Sequence, residues 1–102
     1  MHGVILTFEM GEAFDAGRLS SLAEGALPKF RSLPGLRSKT FMLDPVARQA
    51  VNVYLWESEA TARAFFSEEV LAGVTRVYGV RPRLQHLPVI AQVENTVRES
   101  TP

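Results

Sequence analysis

The most informative stretch of the hydrophobic pattern covers residues 48–58 and reads RQAVNVYLWES. Side chains alternate between the two faces of a strand, so this segment predicts a strand with two unlike faces. One face is aliphatic and carries Val51, Val53 and Leu55. The other face carries a carboxamide, a phenol and an indole, on Asn52, Tyr54 and Trp56. Such a face can hold a flat apolar molecule and also exchange hydrogen bonds with it.

The remaining pattern predicts three further strands and two helices. The strands are predicted over residues 3–10, 36–43 and, in part, 80–93. The apolar stripe of the first helix runs from residue 19 to residue 30, and the second helix is predicted from residue 59 to residue 78. Asp15 and Ser58 are suited to cap the two helices at their starts, Ser67 predicts a break within the second helix, and Gly79 predicts its end. Pro88 cannot donate to a sheet, so the last strand should be interrupted there, with residues 89–93 as a further short strand or an arm.

This order predicts an α+β fold of the ferredoxin-like βαββαβ type, with a four-stranded antiparallel sheet and both helices on one face. Residues 1–95 form the single predicted domain, and residues 96–102 a loose polar tail. The face without helices should be covered by a second copy, which gives a dimeric α/β barrel. We expect Val51, Val53 and Leu55 to face the helices. Asn52, Tyr54 and Trp56 should then face the space between the two copies, together with Ile5.

Composition narrows the class of protein. A chain of 102 residues with 46% hydrophobic residues can bury a core, and its formal net charge of +0 disfavours a nucleic-acid groove binder. There is no cysteine, and the two histidines are far apart in sequence, so we expect no thiolate or histidine metal site. The apolar run at the N-terminus is too short for a signal peptide, and no run approaches a membrane span. We therefore expect a cytoplasmic protein without a membrane partner.

Three pieces together resemble the YdhR-type monooxygenases of the dimeric α/β-barrel group, which includes the antibiotic biosynthesis monooxygenases. They are LPGLRSKTF at residues 33–41, VYLWES at residues 53–58 and AFFS at residues 64–67, supported by LPVI at residues 87–90. The resemblance runs from about residue 4 to residue 95. It departs from close relatives at Val51-Asn52, where they often carry two glycines.

The resemblance implies a homodimer whose subunits each have a pocket between sheet and helices. It implies oxidation of a phenol or hydroquinone to a quinone by dioxygen, with no metal, flavin or haem cofactor. In relatives an asparagine and a tryptophan four residues apart help to hold the substrate, and Asn52 and Trp56 have this spacing. A basic residue on the following helix sometimes joins them, and Arg76 corresponds to it.

Four side chains are candidates to hold an aromatic ring. Tyr54 and Trp56 can sandwich it, Asn52 can hydrogen-bond its oxygen, and Thr7 is a further candidate contact. Tyr54 and Trp56 equally fit core or interface packing. Asn52 is harder to explain by packing, because asparagine is disfavoured in strand interiors.

Three more candidates concern charge and proton transfer. A cofactor-free oxygenase must turn its substrate into an electron-rich anion, so Lys39 or Arg76 would stabilise the anion. His86 is the candidate base, because a neutral imidazole accepts a proton near pH 7. Each also fits a plain surface position on its strand or helix.

Two other functions fit parts of the pattern. A non-catalytic dimer that binds a small hydrophobic ligand or a protein partner needs the same fold. RNA-recognition domains share the order of elements, but residues 48–58 lack their basic-glycine-aromatic signature and the chain is neutral. A haem-degrading enzyme of the same barrel group would need an axial histidine, and neither histidine is well placed for one.

Overall fold

The computed structural model describes residues 1–95, and the predicted tail over residues 96–102 lies outside the described residues. Residues 1–95 contain four strands, β1 (His2–Glu9), β2 (Leu36–Asp44), β3 (Gln49–Trp56) and β4 (Arg83–Pro88). The same range contains three α-helices, α1 (Ala16–Phe30), α2 (Glu59–Phe65) and α3 (Glu68–Tyr78). The sheet is antiparallel in the order β2-β3-β1-β4, which confirms the predicted ferredoxin-like fold.

The helix boundaries follow from capping side chains. The Asp15 carboxylate accepts from the backbone N–H of Arg18, and the hydroxyls of Ser58 and Ser67 accept from residues three positions on. Ser67 therefore starts α3 immediately after α2, as the sequence predicts. Gly79 ends α3 in the left-handed conformation, with φ of 85°.

The end of the chain differs in part from prediction. β4 ends at Pro88, as expected for a residue without a backbone N–H. Residues 89–95 form no strand. Val89 still donates to the carbonyl of Met1, whereas Ile90 is 98% exposed. Of the two predicted possibilities, the structure therefore has an extended arm.

The prediction for the two faces of β3 is wrong. Ala50, Asn52, Tyr54 and Trp56 face the helices and are at most 3% exposed, whereas Val51, Val53 and Leu55 are half-buried on the bare face. The physical reason is the pairing of β3 with β1. Val4 lies opposite Tyr54 and Leu6 opposite Asn52. Because directly opposite residues share a face, the apolar face of β1 carries the aromatic face of β3 into the core.

A β-bulge on β2 adjusts the edge of the sheet. Leu36 lies opposite Trp56 and Ser38 opposite Leu55, so Arg37 is the extra residue between them. The bulge lets Leu36 face the helices together with Lys39 and the positions that follow at spacing two. Without the bulge, regular alternation back from Lys39 would place Leu36 on the bare face of the sheet.

Gly35 provides a test of the turn before β2. Its φ is +82°, and an added Cβ would overlap the Thr61 side chain. We expect Gly35→Ala to lower the free energy of unfolding by about 1–3 kcal/mol, since a non-glycine residue is strained in this conformation. Urea denaturation measures the change.

Gly25→Ala is the matched control. Gly25 lies inside α1, and nothing lies within 4 Å of an added Cβ. This substitution should raise the free energy of unfolding by up to about 1 kcal/mol, because alanine favours the helix. Equal effects of the two substitutions would contradict the assigned turn geometry.

Candidate active site

A cavity of about 580 Å³ lies between the helix-facing side of the sheet and the helices. This volume is in the usual range for small-molecule sites. Six aromatic side chains form much of its wall: Phe30, Phe41, Tyr54, Phe65, Phe66 and Tyr78. The lining side chains Lys29 and Arg76 are exposed and mark its opening to solvent. The cavity therefore suits a flat apolar molecule with a polar end.

Lys39 is the central polar group of the cavity. Its position on β2 opposite Tyr54 places its side chain on the helix-facing side. The Nζ atom lies 3.5 Å from the ring centroid of Phe30, 4.3 Å from that of Phe41 and 4.5 Å from that of Tyr54. The amine is thus held among three aromatic rings.

Burial and the nearby Lys29 lower the pKa of Lys39 from 10.5 to about 7. The three ring faces attract an ammonium group and so oppose this decrease. Removal of the ammonium from water is the larger of the two causes of the decrease, so we take the pKa of Lys39 to lie well below its usual value, at about 7. A substantial fraction of the amine is then neutral at physiological pH and can accept a proton.

Asn52 and Tyr78 form the polar floor of the cavity. The Asn52 Nδ2 atom donates to the Tyr78 hydroxyl at 3.3 Å, and both side chains are buried. Tyr78 also stacks on Phe8, with ring centroids 3.8 Å apart and an interplanar angle of 12°. This stack fixes the phenol that receives the Asn52 hydrogen bond. The Asn52 carbonyl and the Tyr78 hydroxyl can then orient an oxygen-bearing ligand.

Tyr54 is a wall residue that stays a neutral phenol. Burial, and to a lesser extent Tyr78, raises the pKa of Tyr54 above its usual value. Its ring meets Phe66 edge to face, with centroids 4.9 Å apart. It can stack against a ligand or donate a hydrogen bond, but it cannot supply a negative charge near neutral pH.

The structure brings four of the predicted site residues together and separates three from them. Lys39, Asn52, Tyr54 and Arg76 line the cavity, whereas Trp56, His86 and Thr7 do not. Trp56 is 1% exposed and packs behind the wall, with its ring centroid 5.1 Å from that of Phe65. It therefore supports the cavity through packing.

His86 lies away from the cavity, in a pair with His2. The His2 Nε2 and His86 Nδ1 atoms are 2.8 Å apart, so one ring donates to the other. Burial lowers the pKa of His86 below its usual value. The neutral imidazole has the protonation state expected of a base, but its position gives it no access to a ligand in the cavity.

Thr7 lies on the opposite face of the sheet. It is 5% exposed and lies opposite Val51 on β3 and Arg83 on β4. The prediction that Thr7 and Asn52 share a site fails because they project from opposite faces.

Sequence reasoning missed several lining residues, above all Tyr78. The apolar side chains Val70, Val74 and Val77 recur along α3 at spacings of three and four, and this stripe leaves Tyr78 out. Leu71, Val74 and Tyr78 have the spacing of one helix face, and Leu71 and Tyr78 are the buried pair. That alternative stripe was the signal for Tyr78.

The described residues offer no ready metal site. Among residues 1–95, no three histidine, cysteine, aspartate or glutamate side chains come together as metal ligands would. No helix within the same range is long and apolar enough to cross a membrane.

Comparison with known proteins yields structural likeness only. No protein-family model matches the sequence. No curated protein matches it either. Among solved structures, a monooxygenase from the gene ActVA-Orf6 of Streptomyces coelicolor, in complex with nanaomycin D, is similar at a TM-score of 0.67 and 21% identity, covering 93% of this chain and 92% of that one.

Two further structures share the fold. An antibiotic biosynthesis monooxygenase is similar at a TM-score of 0.64 and 16% identity, covering 89% of this chain and 100% of that one. Rv0793 from Mycobacterium tuberculosis is similar at a TM-score of 0.63 and 15% identity, covering 91% and 98%. The chain thus has the fold found in structures of antibiotic biosynthesis monooxygenases.

Proposed function

We propose that this chain is a monooxygenase of the YdhR type, which oxidises a phenol or quinol in the aromatic cavity without a metal, flavin or haem cofactor. The observation that carries the proposal is the Lys39 amine, held among three rings inside the cavity with its pKa lowered to about 7. The fold also supports the proposal, because it is similar to that of a monooxygenase whose structure was solved in complex with nanaomycin D.

The first step is proton transfer from the phenol to the neutral Lys39 amine. A phenol has a pKa of about 10, which is about three units above that of Lys39, so proton transfer to the amine costs about 4 kcal/mol. The resulting ammonium and phenolate attract each other, and at about 4 Å that attraction is also about 4 kcal/mol at an effective dielectric constant of about 20. Ion pairing can therefore offset the unfavourable transfer. Arg76 at the opening adds positive charge.

The phenolate then reacts with dioxygen. One electron passes from the anion to dioxygen, and the two radicals combine at the ring carbon opposite the phenolic oxygen. The Lys39 ammonium returns its proton to the peroxide, which restores the neutral amine. The resulting hydroperoxide loses water as the C–H bond at the same carbon and the O–O bond break, which leaves a new carbonyl. For a phenol with hydrogen at that carbon, the balance is phenol plus dioxygen to quinone plus water, so one oxygen atom enters the product and the other leaves as water. A hydroquinone, whose opposite carbon already carries oxygen, would instead give its quinone and hydrogen peroxide.

Asn52 positions the ring during these steps. We expect Asn52→Ala to lower kcat/KM for oxygen uptake about tenfold, because a hydrogen bond of this kind contributes about 1 kcal/mol or slightly more. Oxygen consumption with a panel of hydroquinones and anthrones measures the effect. Equal rates for wild type and Asn52→Ala on every oxidised substrate would contradict the role of Asn52.

Thr7→Val is the matched control. Thr7 is a buried polar residue on β1, next to β3, and its side chain lies on the face of the sheet opposite to that of Asn52. The activity of Thr7→Val should equal that of wild type.

Ligand binding without oxygen consumption across the whole panel would favour the alternative, a non-catalytic protein that binds small ligands in the same cavity.

We also propose that two copies pair through the bare face of the sheet. Ile5, Val51, Val53 and Leu55 are half-buried aliphatic residues on this face, and no helix within residues 1–95 packs against them. The arm over residues 89–93 follows β4 and carries the exposed Ile90 and Val93. A second copy would cover both features.

A further inference from the structure

A second cleft, of about 290 Å³, adjoins the cavity on the far side of Lys39. The two spaces share Phe30, Lys39 and Phe41 as lining residues. The other charged side chains of the second cleft are Arg31 and Arg37, both exposed. We call this space the basic cleft. Lys39 therefore stands at the boundary between the aromatic cavity and a cleft lined by two arginines.

The charges around the two spaces are all of one sign. Lys29, Lys39 and Arg76 line the cavity, Arg31 and Arg37 line the basic cleft, and neither space has an aspartate or glutamate in its lining. The whole chain has eleven basic and eleven acidic residues. Five of the eleven basic residues thus lie around two adjoining spaces that hold none of the acidic ones, which a neutral ligand would not require.

These five basic residues have no ion-pair partner within residues 1–95. The ion pairs in this part of the chain are Arg63–Glu59, Arg81–Glu68 and Arg83–Glu9, all elsewhere on the surface. Repulsion within the cluster is already visible, since the charge of Lys29 contributes to the lowered pKa of Lys39. A bound anion would relieve this repulsion.

Both arginines of the basic cleft stand at local backbone irregularities. Arg31 is the C-cap residue that follows α1, and the next residue, Ser32, has a φ of 66°. Arg37 is the extra residue of the β-bulge at the start of β2. Bulges commonly redirect a side chain next to a site. Two separate departures from regular structure therefore line the same cleft.

We propose that the ligand is an aromatic carboxylate, with its ring system in the cavity and its carboxylate in the basic cleft between Arg31 and Arg37. We place the ring in the cavity on the basis of the proposed function, and the carboxylate in the basic cleft on the basis of its two arginines. Guanidinium groups bind carboxylates through paired hydrogen bonds, which makes two arginines better suited to this group than lysines.

Isothermal titration calorimetry with two matched probes tests the proposal. Anthraquinone-2-carboxylate and anthraquinone-2-carboxamide have nearly the same shape and differ in charge, and neither carries the phenol needed for turnover. At low ionic strength we expect the carboxylate to bind about tenfold more tightly than the carboxamide. Added salt should reduce this difference, because the cleft is open to solvent.

Variants locate the effect. The double substitution Arg31→Gln and Arg37→Gln should lower carboxylate affinity about tenfold, to that of the carboxamide, and leave carboxamide affinity unchanged. Arg48→Gln is the control, because it removes the same charge from an exposed turn between β2 and β3. It should leave both affinities as in wild type. Circular dichroism verifies that all variants are folded.

The proposal would be overturned if wild type bound the two probes equally tightly, or bound neither. It would also be overturned if the double variant lost the same affinity for both probes, or if Arg48→Gln lost as much carboxylate affinity as the double variant. The proposed function fails separately. A carboxylate preference without any oxygen consumption would leave the anion site standing and refute the monooxygenase.

Discussion

In Lys39→Met we expect kcat/KM for oxidation of a phenol to fall by about 100-fold or more, the usual loss when a positioned base is removed. Methionine keeps the length and apolar character of the lysine stem, so the packing against Phe30, Phe41 and Tyr54 is retained while the amine is lost. Oxygen uptake at saturating and limiting phenol concentration separates the loss in turnover from a loss in binding.

The pH dependence of the wild type gives a second test of Lys39. Only the neutral amine accepts a proton, so kcat/KM should rise with pH through a pKa near 7. Lys29→Met is the informative companion variant. Removing the like charge raises the pKa of Lys39, so the rising limb should move to higher pH in this variant. A wild-type profile without a rising limb in this range, or a limb unmoved in Lys29→Met, would contradict the role of Lys39.

Stability provides a measurement of Lys39 that does not depend on turnover. The folded-state pKa of about 7 lies below the ordinary value of 10.5, so between these values the unfolded chain binds more protons than the folded chain. The contribution of Lys39 to the free energy of unfolding should therefore increase as pH rises through this window, and decrease as pH falls toward 7. Lys39→Met should lack this part of the pH dependence in urea denaturation.

Leu6→Ala should lower the free energy of unfolding by about 2–5 kcal/mol, the range for removing a buried leucine side chain. Leu6 is 0% exposed and lies opposite Asn52 and Leu84 at the centre of the sheet, facing the helices. Its loss would leave a void beside Asn52, its partner on β3. Urea denaturation should show this decrease at every protein concentration.

Leu55→Ala is the matched substitution on the bare face. Leu55 is half-buried in the single chain, so at a concentration where the protein is monomeric this substitution should be less destabilising than Leu6→Ala. At higher concentration the pairing of two copies adds to stability, and the effect of Leu55→Ala should grow.

Two outcomes would correct these assignments. If the two alanine substitutions destabilise the monomer equally, the faces of the sheet are assigned wrongly. If wild type sediments as an 11.3 kDa monomer at all concentrations and Leu55→Ala shows no dependence on concentration, the proposed pairing is wrong.

Local signals predicted the order and boundaries of the elements well. The capping residues Asp15, Ser58 and Ser67 act within one turn of themselves, so each helix start is a property of a few neighbouring residues. The left-handed Gly79 and the end of β4 at Pro88 are local for the same reason. These signals need no knowledge of what packs against them.

The site was predicted only in part, because membership depends on which faces of distant elements meet. Asn52 and Tyr54 were recognised as unusual strand residues, and both line the cavity. His86 was chosen for its chemistry, yet its partner is His2, at the other end of the chain. Tyr78 was missed because its role depends on stacking against Phe8, seventy positions earlier in the sequence.

The sequence by itself determined the fold class, the helix caps and the alternation of β3, since each depends on periodicity or on contacts within a few residues. Only the tertiary structure decided which side of β3 is inside. Alternation separates Asn52, Tyr54 and Trp56 from Val51, Val53 and Leu55, but it treats the two faces alike. The register with β1 sets Tyr54 opposite Val4, so Asn52, Tyr54 and Trp56 share a face with the apolar side chains of β1. The helices cover this face because it is the most apolar one of the central strand pair. The separate pairing of β2 with β3, which sets Lys39 opposite Tyr54, placed Lys39 in the aromatic cavity, where burial lowers its pKa.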